Sequence, residues 1–135
     1  MNILIIDAQG GGIGKQLTLA VKKNRPDAVV TAVGTNSAAT TAMIKAGADY
    51  AATGENAVVV NSKRADVIIG PVGIVIADAL LGEITPAMAQ AVAQSRAKRI
   101  LIPVNHCDNI VVGVENLNIG KLIGDVMAEL QKIRQ

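Results

Sequence analysis

The densest chemistry in this chain lies near its start, in the run Asp7-Ala8-Gln9-Gly10-Gly11-Gly12-Ile13-Gly14-Lys15. Successive glycines let a backbone turn sharply and approach a ligand closely. Where a helix begins inside such a run, the N–H groups of its first turn lack intrahelical acceptors and face an anion. Asp7, Gln9, Gly10, Gly11, Gly12, Ile13 and Gly14 therefore read as a phosphate-binding loop. Asp7 would orient the loop or contact a ribose, and Lys15 would add positive charge or simply be solvated. His106 and Cys107 suggest a base and a nucleophile, but adjacent residues of an extended segment point to opposite sides. One His and one Cys also fall short of a four-ligand zinc site. They read as a rim histidine and a partly buried thiol.

A loop of this kind needs a strand before it and a helix after it, and the chain supplies both. Short apolar runs alternate with helical patterns throughout, as in successive βαβ units. Strands are expected at 2–6, 28–33, 50–53, 67–69 and 99–102, with a shorter sixth at 110–114. Helices are expected from the glycine loop to about 23, from Ser37 as N-cap to about 46, and over 86–95. Thr85 caps the last of these and Pro86 occupies its first turn. A final helix over 117–133 carries Ile119, Leu122, Ile123, Val126, Met127, Leu130 and Ile133 on one stripe. Residues 55–62 fit a helix or a strand. The expected fold is α/β: a doubly wound, mainly parallel, three-layer sheet of five to six strands, as one domain over 1–135.

Composition agrees and narrows the function. Half of the 135 residues are hydrophobic but Tyr50 is the only aromatic. The core must then be aliphatic, which suits a parallel sheet covered on both faces. A net charge of +2 without a basic block, and without aromatic stacking platforms, disfavours nucleic acid as a partner. The most apolar stretch, 67–77, is short and broken by Gly70, Pro71 and Gly73, so no membrane span is expected. With a single cysteine, Cys107, and no signal-peptide pattern at the N-terminus, the expected compartment is the cytoplasm.

Ligands of doubly wound sheets bind beyond the carboxyl ends of the strands, where strand order reverses. That point is expected between the first and fourth strands. It adds Gly34, Thr35, Asn36 and Ser37, then Gly70, Pro71 and Gly73, then the segment 104–107. Gly70, Pro71 and Gly73 would let a flat ring lie against backbone, or simply end a strand. An NAD site wants a carboxylate about 20 residues after the glycines, for the ribose hydroxyls. Here that place holds Gly34-Thr35-Asn36-Ser37, whose donors would suit the 2′-phosphate of NADP. Equally, Ser37 would cap a helix while Asn36 turns the chain. Asp78 and Glu83 flank an apolar stretch, without the spacing of a carboxylate pair.

The glycine loop is similar to that of the NAD(P)-binding short-chain dehydrogenases. Gly12-Ile13-Gly14 fits their G-x-x-x-G-I-G, with Ala8 where the first glycine belongs. It also approaches a P-loop at Gly14-Lys15, but Gln16 replaces the hydroxyl residue that holds magnesium. Over nearly its full length the chain resembles an uncharacterised family of short bacterial Rossmann-like proteins, a domain of unknown function. That resemblance rests on Gln9-Gly10-Gly11-Gly12-Ile13-Gly14, Gly34-Thr35-Asn36-Ser37, Ala52-Thr53-Gly54-Glu55-Asn56, Gly70-Pro71-Val72-Gly73-Ile74 and Leu81-Gly82-Glu83-Ile84-Thr85-Pro86. It implies a nucleotide-binding fold and transfers no catalytic residue. The Tyr-x-x-x-Lys of short-chain dehydrogenases is absent, since Gly54 stands four residues after Tyr50.

The expected function is a sensing or regulatory module that binds a nucleotide or dinucleotide such as NADP. The alternatives are a small NADP-dependent oxidoreductase and a P-loop-like phosphate-binding enzyme. A homodimer is expected through 74–81, which as a helix would be apolar nearly all round except for Asp78. Asp78 would then meet a basic side chain such as Arg96 across the joint.

Overall fold

In the computed structural model, which describes residues 1–104, 109–114 and 118–134, the central element is β1 (Asn2–Asp7). Its apolar residues are buried on both faces, as a strand flanked by parallel neighbours and covered twice requires. β2 (Val29–Gly34) pairs with one edge of β1 and β4 (Val67–Pro71) with the other; β3 (Tyr50–Thr53) and β5 (Lys98–Ile102) lie outside them. All four pairings are parallel, in the order β3-β2-β1-β4-β5. The order reverses between β1 and β4, where the sequence places the switch point. Among the described residues the sheet has five strands. The expected sixth, at 110–114, does not form: Gly113 turns the chain at φ +90°, and Ile110 and Val112 are almost fully exposed.

One face of the sheet is covered by α1 (Gly12–Asn24), α2 (Ser37–Lys45) and α5 (Ile119–Lys132). Leu17 and Val21 of α1 lie one turn apart and are fully buried, and truncating such a side chain costs about 2–5 kcal/mol. Lys22 and Lys23 in the last turn of α1 complement the negative end of its dipole. The helix stops at Arg25 because Pro26 disfavours helical backbone in the residue before it. In α5, Ile123, Val126, Met127 and Leu130 are buried, so the stripe read from the sequence packs as expected.

The other face is covered by α3 (Glu55–Ser62), α4 (Pro86–Gln94) and the segment between β4 and α4. Residues 55–62, ambiguous in sequence, form a helix that opens on Glu55. Thr85 caps α4 by accepting from the Met88 N–H at 3.2 Å. Residues 74–81 do not form the expected helix. After a 3₁₀ turn (Val72–Val75) the chain makes tight turns in which Asp78, Leu80, Leu81 and Gly82 all have positive φ. Ile74, Ala79, Leu80 and Ile84 are buried within the chain's own core. Part of the apolar surface assigned to a dimer joint is thus consumed internally, while Leu81 stays exposed, and Asp78 lies exposed with its backbone bonded to Ile84 and Gly82.

Candidate functional site at the carboxyl ends of β1 and β2

Asp7 and Gly34 are register partners at the ends of β1 and β2, so the two loops that follow emerge side by side. The first turns immediately. The Gly11 N–H bonds the Ala8 carbonyl at 3.1 Å, and Gly11, at φ +74°, caps α1. A side chain at Gly11 would collide with the backbone of Ala39, only 2.7 Å away. Gly14 is needed for a different reason: a Cβ there would meet Met43 Sδ at 2.6 Å and Asp7 Cβ at 2.8 Å. Gly10 and Gly12 differ from both, because a Cβ at either meets nothing within 4 Å. These glycines therefore divide into a turn (Gly11), a close packing contact (Gly14), and two positions with open space above the backbone (Gly10 and Gly12).

Asp7 is buried. Its carboxylate accepts from the Ala8 N–H at 2.8 Å and the Gly14 N–H at 2.6 Å, tying the strand end to the first turn of α1. Burial pushes its pKa up, the two N–H donors work against that rise, and the charge of Glu83 adds to it. Of the two roles expected for Asp7 the structure provides the first, orientation of the loop. The N–H of Lys15 bonds the Gly11 carbonyl. In the first turn this leaves the N–H groups of Gly12 and Ile13, which donate to no acceptor among the described residues. The Ile13 side chain itself packs on the core.

The second loop begins at Gly34, where a Cβ would meet Thr40 Oγ1 at 2.5 Å and the Thr40 nitrogen at 2.6 Å. Asn36 follows in extended conformation and caps α2, its side-chain oxygen accepting from the Ala39 N–H at 2.9 Å. The cap is thus Asn36, one residue before the Ser37 expected from sequence. Asn36 wins because its extended backbone leaves the amide oxygen in reach of that N–H. Ser37 is the exposed first residue of the helix and lines a groove of about 440 Å³ between α1 and α2, with Lys15, Thr41 and Lys45.

The two loops are joined by a residue from neither. Glu83 Oε1 accepts from the Gln9 N–H at 3.0 Å, the Thr35 hydroxyl at 2.7 Å and the Asn36 side-chain amide at 2.8 Å. The same Asn36 amide donates to the Gln9 carbonyl at 2.9 Å. Partial burial opposes the charge of Glu83, but these hydrogen bonds outweigh it and hold its pKa below the usual glutamate range. Sequence reading missed this role. The available signal was an acid after Gly82, just before the Thr85-Pro86 helix start and hence in a loop on the carboxyl side of β4. Its partners lie 47, 48 and 74 residues away.

Gly70, Pro71 and Gly73 are buried. Gly70 and Pro71 are the last two residues of β4, and a Cβ at Gly70 would strike the Ile6 carbonyl oxygen at 2.5 Å. The missing side chain of Gly70 thus serves the close approach of β4 to β1, and all three residues lie beneath the surface that the two loops form. Val104 is buried; Asn105, His106 and Cys107 lie outside the described residues. Among the described residues, no group of three His, Cys, Asp or Glu side chains could hold a metal ion. No described helix is long and apolar enough to cross a membrane.

A family model, domain of unknown function DUF3842, matches residues 2–135, and the chain belongs to that family. No curated protein matches the sequence. Among solved structures, the chain is similar to a dodecameric FMN-dependent UbiX-like decarboxylase from Escherichia coli O157:H7, at 19% identity and a TM-score of 0.50. The match covers 95% of this chain and 76% of that one. At that identity the likeness shows the fold alone.

Proposed function

We propose that this DUF3842 chain binds a phosphate-bearing nucleotide-type ligand at the carboxyl ends of β1 and β2, and that it acts as a sensing or regulatory module. The observation that carries this reading is the first turn of α1. Its Gly12 and Ile13 N–H groups meet no described acceptor, and the space above Gly10 and Gly12 is open. A phosphate suits such a place, because the helix end concentrates partial positive charge and glycine leaves room for close approach. The FMN named for the UbiX-like structure is a ligand of this class, which supports the class without assigning FMN here.

The case for NADP is weaker in three dimensions than in sequence. Thr35 and Asn36, expected to donate to a 2′-phosphate, donate to Glu83, leaving Ser37 and Lys15 on the neighbouring groove. Oxidoreductase and phosphate-transfer readings find no support in the loop either. Both carboxylate oxygens of Asp7 are engaged by backbone, and Gln16 offers no hydroxyl for a magnesium ion.

The homodimer stays part of the proposal, on a different surface. Val29 and Tyr50 are exposed on β2 and β3, beside a cavity of about 370 Å³ that Thr31, Asn61 and Arg64 also line. Sedimentation equilibrium of the parent and of Tyr50→Glu tests it; a monomeric parent at micromolar concentration ends it.

The binding reading is tested by thermal unfolding against FMN, NAD, NADP and AMP. A ligand at 100 times its Kd stabilises by about 2.7 kcal/mol, so at least one is expected to raise Tm clearly, and to lose that effect in Gly12→Val. No shift with any of them would overturn the reading.

A further inference from the structure

Glu83 does more than join two loops. Its Oε1 carries three donors, while Oε2 accepts from none of the described residues, and the side chain is only partly buried. A carboxylate held this way cannot swing aside without leaving the Gln9 N–H, the Thr35 hydroxyl and the Asn36 amide short of an acceptor. An ionised carboxylate has acceptors and no donor, so its open oxygen attracts hydroxyl groups and repels phosphate. Its place is defined by Gln9, which belongs to the same loop as Gly10 and Gly12. A ligand whose phosphate rests on α1 would therefore pass its sugar beside Glu83.

The backbone that delivers Glu83 is costly. Asp78, Leu80 and Leu81 all adopt left-handed conformations, at φ +65°, +58° and +58°, which side chains of this kind rarely do. Leu81 is 95% exposed, so its own packing returns almost nothing for that strain. Strain of this sort persists where the surrounding structure over-determines it, often at ligand sites.

We infer that Glu83 is the specificity-determining residue of the site, reading the vicinal hydroxyls of an unsubstituted ribose through Oε2 and rejecting a ribose that bears a phosphate there. The inference rests on the nucleotide reading above and refines its ligand class. The carboxylate that sequence reasoning sought at the end of β2 is supplied across the sheet, from the connection after β4.

Calorimetry on the full chain tests it with two matched pairs, NAD against NADP and AMP against 2′,3′-dideoxy-AMP. The parent should bind the unmodified ribose about tenfold or more tightly in each pair that binds, and Glu83→Gln should bring each ratio below about threefold. Gln keeps an oxygen for the three donors, so the turn should still fold. Should Glu83→Gln not fold, Thr35→Val decides: removing one anchor from the carboxylate should lower the same ratios part of the way. A parent that prefers NADP or treats both members of a pair alike overturns the inference. So does a variant that weakens both members equally, as a merely structural residue would. Binding of FMN with none of the four nucleotides overturns the inference and leaves the proposed function standing. No binding by FMN or any of the four overturns both.

Discussion

The connection leaving β1 and the connection leaving β4 meet at one place but are built on opposite principles. The first is short, rich in glycine and held by local bonds, from Gly11 to Ala8 and from Gly14 to Asp7. It places backbone donors at a helix start with little strain beyond a left-handed Gln9. The second runs from Val72 to Thr85, buries Ile74, Ala79, Leu80 and Ile84, and forces two leucines into left-handed backbone. Its contribution to the site is one side chain, Glu83, bonded to residues distant in sequence. A cradle for an anion can be made from nearby residues; a fixed acceptor for a specific group here needs a long connection and the strain that aims it.

Breaking the glycine classes apart should show the largest effects. Gly70→Val places side-chain carbon against the Ile6 carbonyl oxygen, which cannot move without disturbing β1. A loss of about 3 kcal/mol or more is expected in urea unfolding, at the upper end of overpacking costs. Gly12→Val points into open space and should keep stability within about 0.5 kcal/mol while abolishing nucleotide binding by calorimetry. Equal loss of stability in both variants would erase the distinction between packing glycines and cradle glycines.

A smaller effect concerns the strained connection. Leu81→Asn replaces an exposed leucine with a residue that tolerates left-handed backbone, and should raise stability by up to about 1 kcal/mol, a part of the strain such residues carry. An unchanged or lower midpoint of unfolding would show that Leu81 is not strained, and that the two connections differ less than their dihedral angles imply.

The smallest effects are in pH dependence, and they have opposite signs. Asp7, its pKa raised by burial, binds its proton more tightly in the folded chain. It therefore costs stability as pH rises from the unfolded carboxylate range through its folded value. Glu83 is partly desolvated, yet its hydrogen bonds hold its pKa low. Its stabilisation is present above the ordinary glutamate range and is lost as pH falls through the folded value. Asp49, lowered by the Val30 N–H and by Lys22, adds to that acid loss in parent and variants alike. Denaturant unfolding between about pH 3 and 7 should show Asp7→Asn removing the first dependence and Glu83→Gln the second. Identical profiles for the two variants would contradict the opposite shifts.

Much of this could be read before folding was considered. The run from Asp7 to Gly14 declares a strand-to-helix turn with exposed donors, because glycine's freedom and the unpaired first turn of a helix are local properties. The spacing of Leu17 and Val21, the stripe from Ile119 to Leu130, and Thr85 before Pro86 place helices for the same local reason. Pattern alone misled at 110–114, where an apolar run pairs with no strand among the described residues, and at 74–81, where apolar residues suggested a helix and the fold made tight turns. It also could not separate Gly70, pressed on the Ile6 carbonyl, from Gly12, with nothing above it; that depends on what lies across the sheet. The anchoring of Glu83 is the clearest case. Its three donors come from the ends of β1 and β2, and only the strand order, which sets β4 beside β1, brings an acid after β4 within 3.0 Å of them.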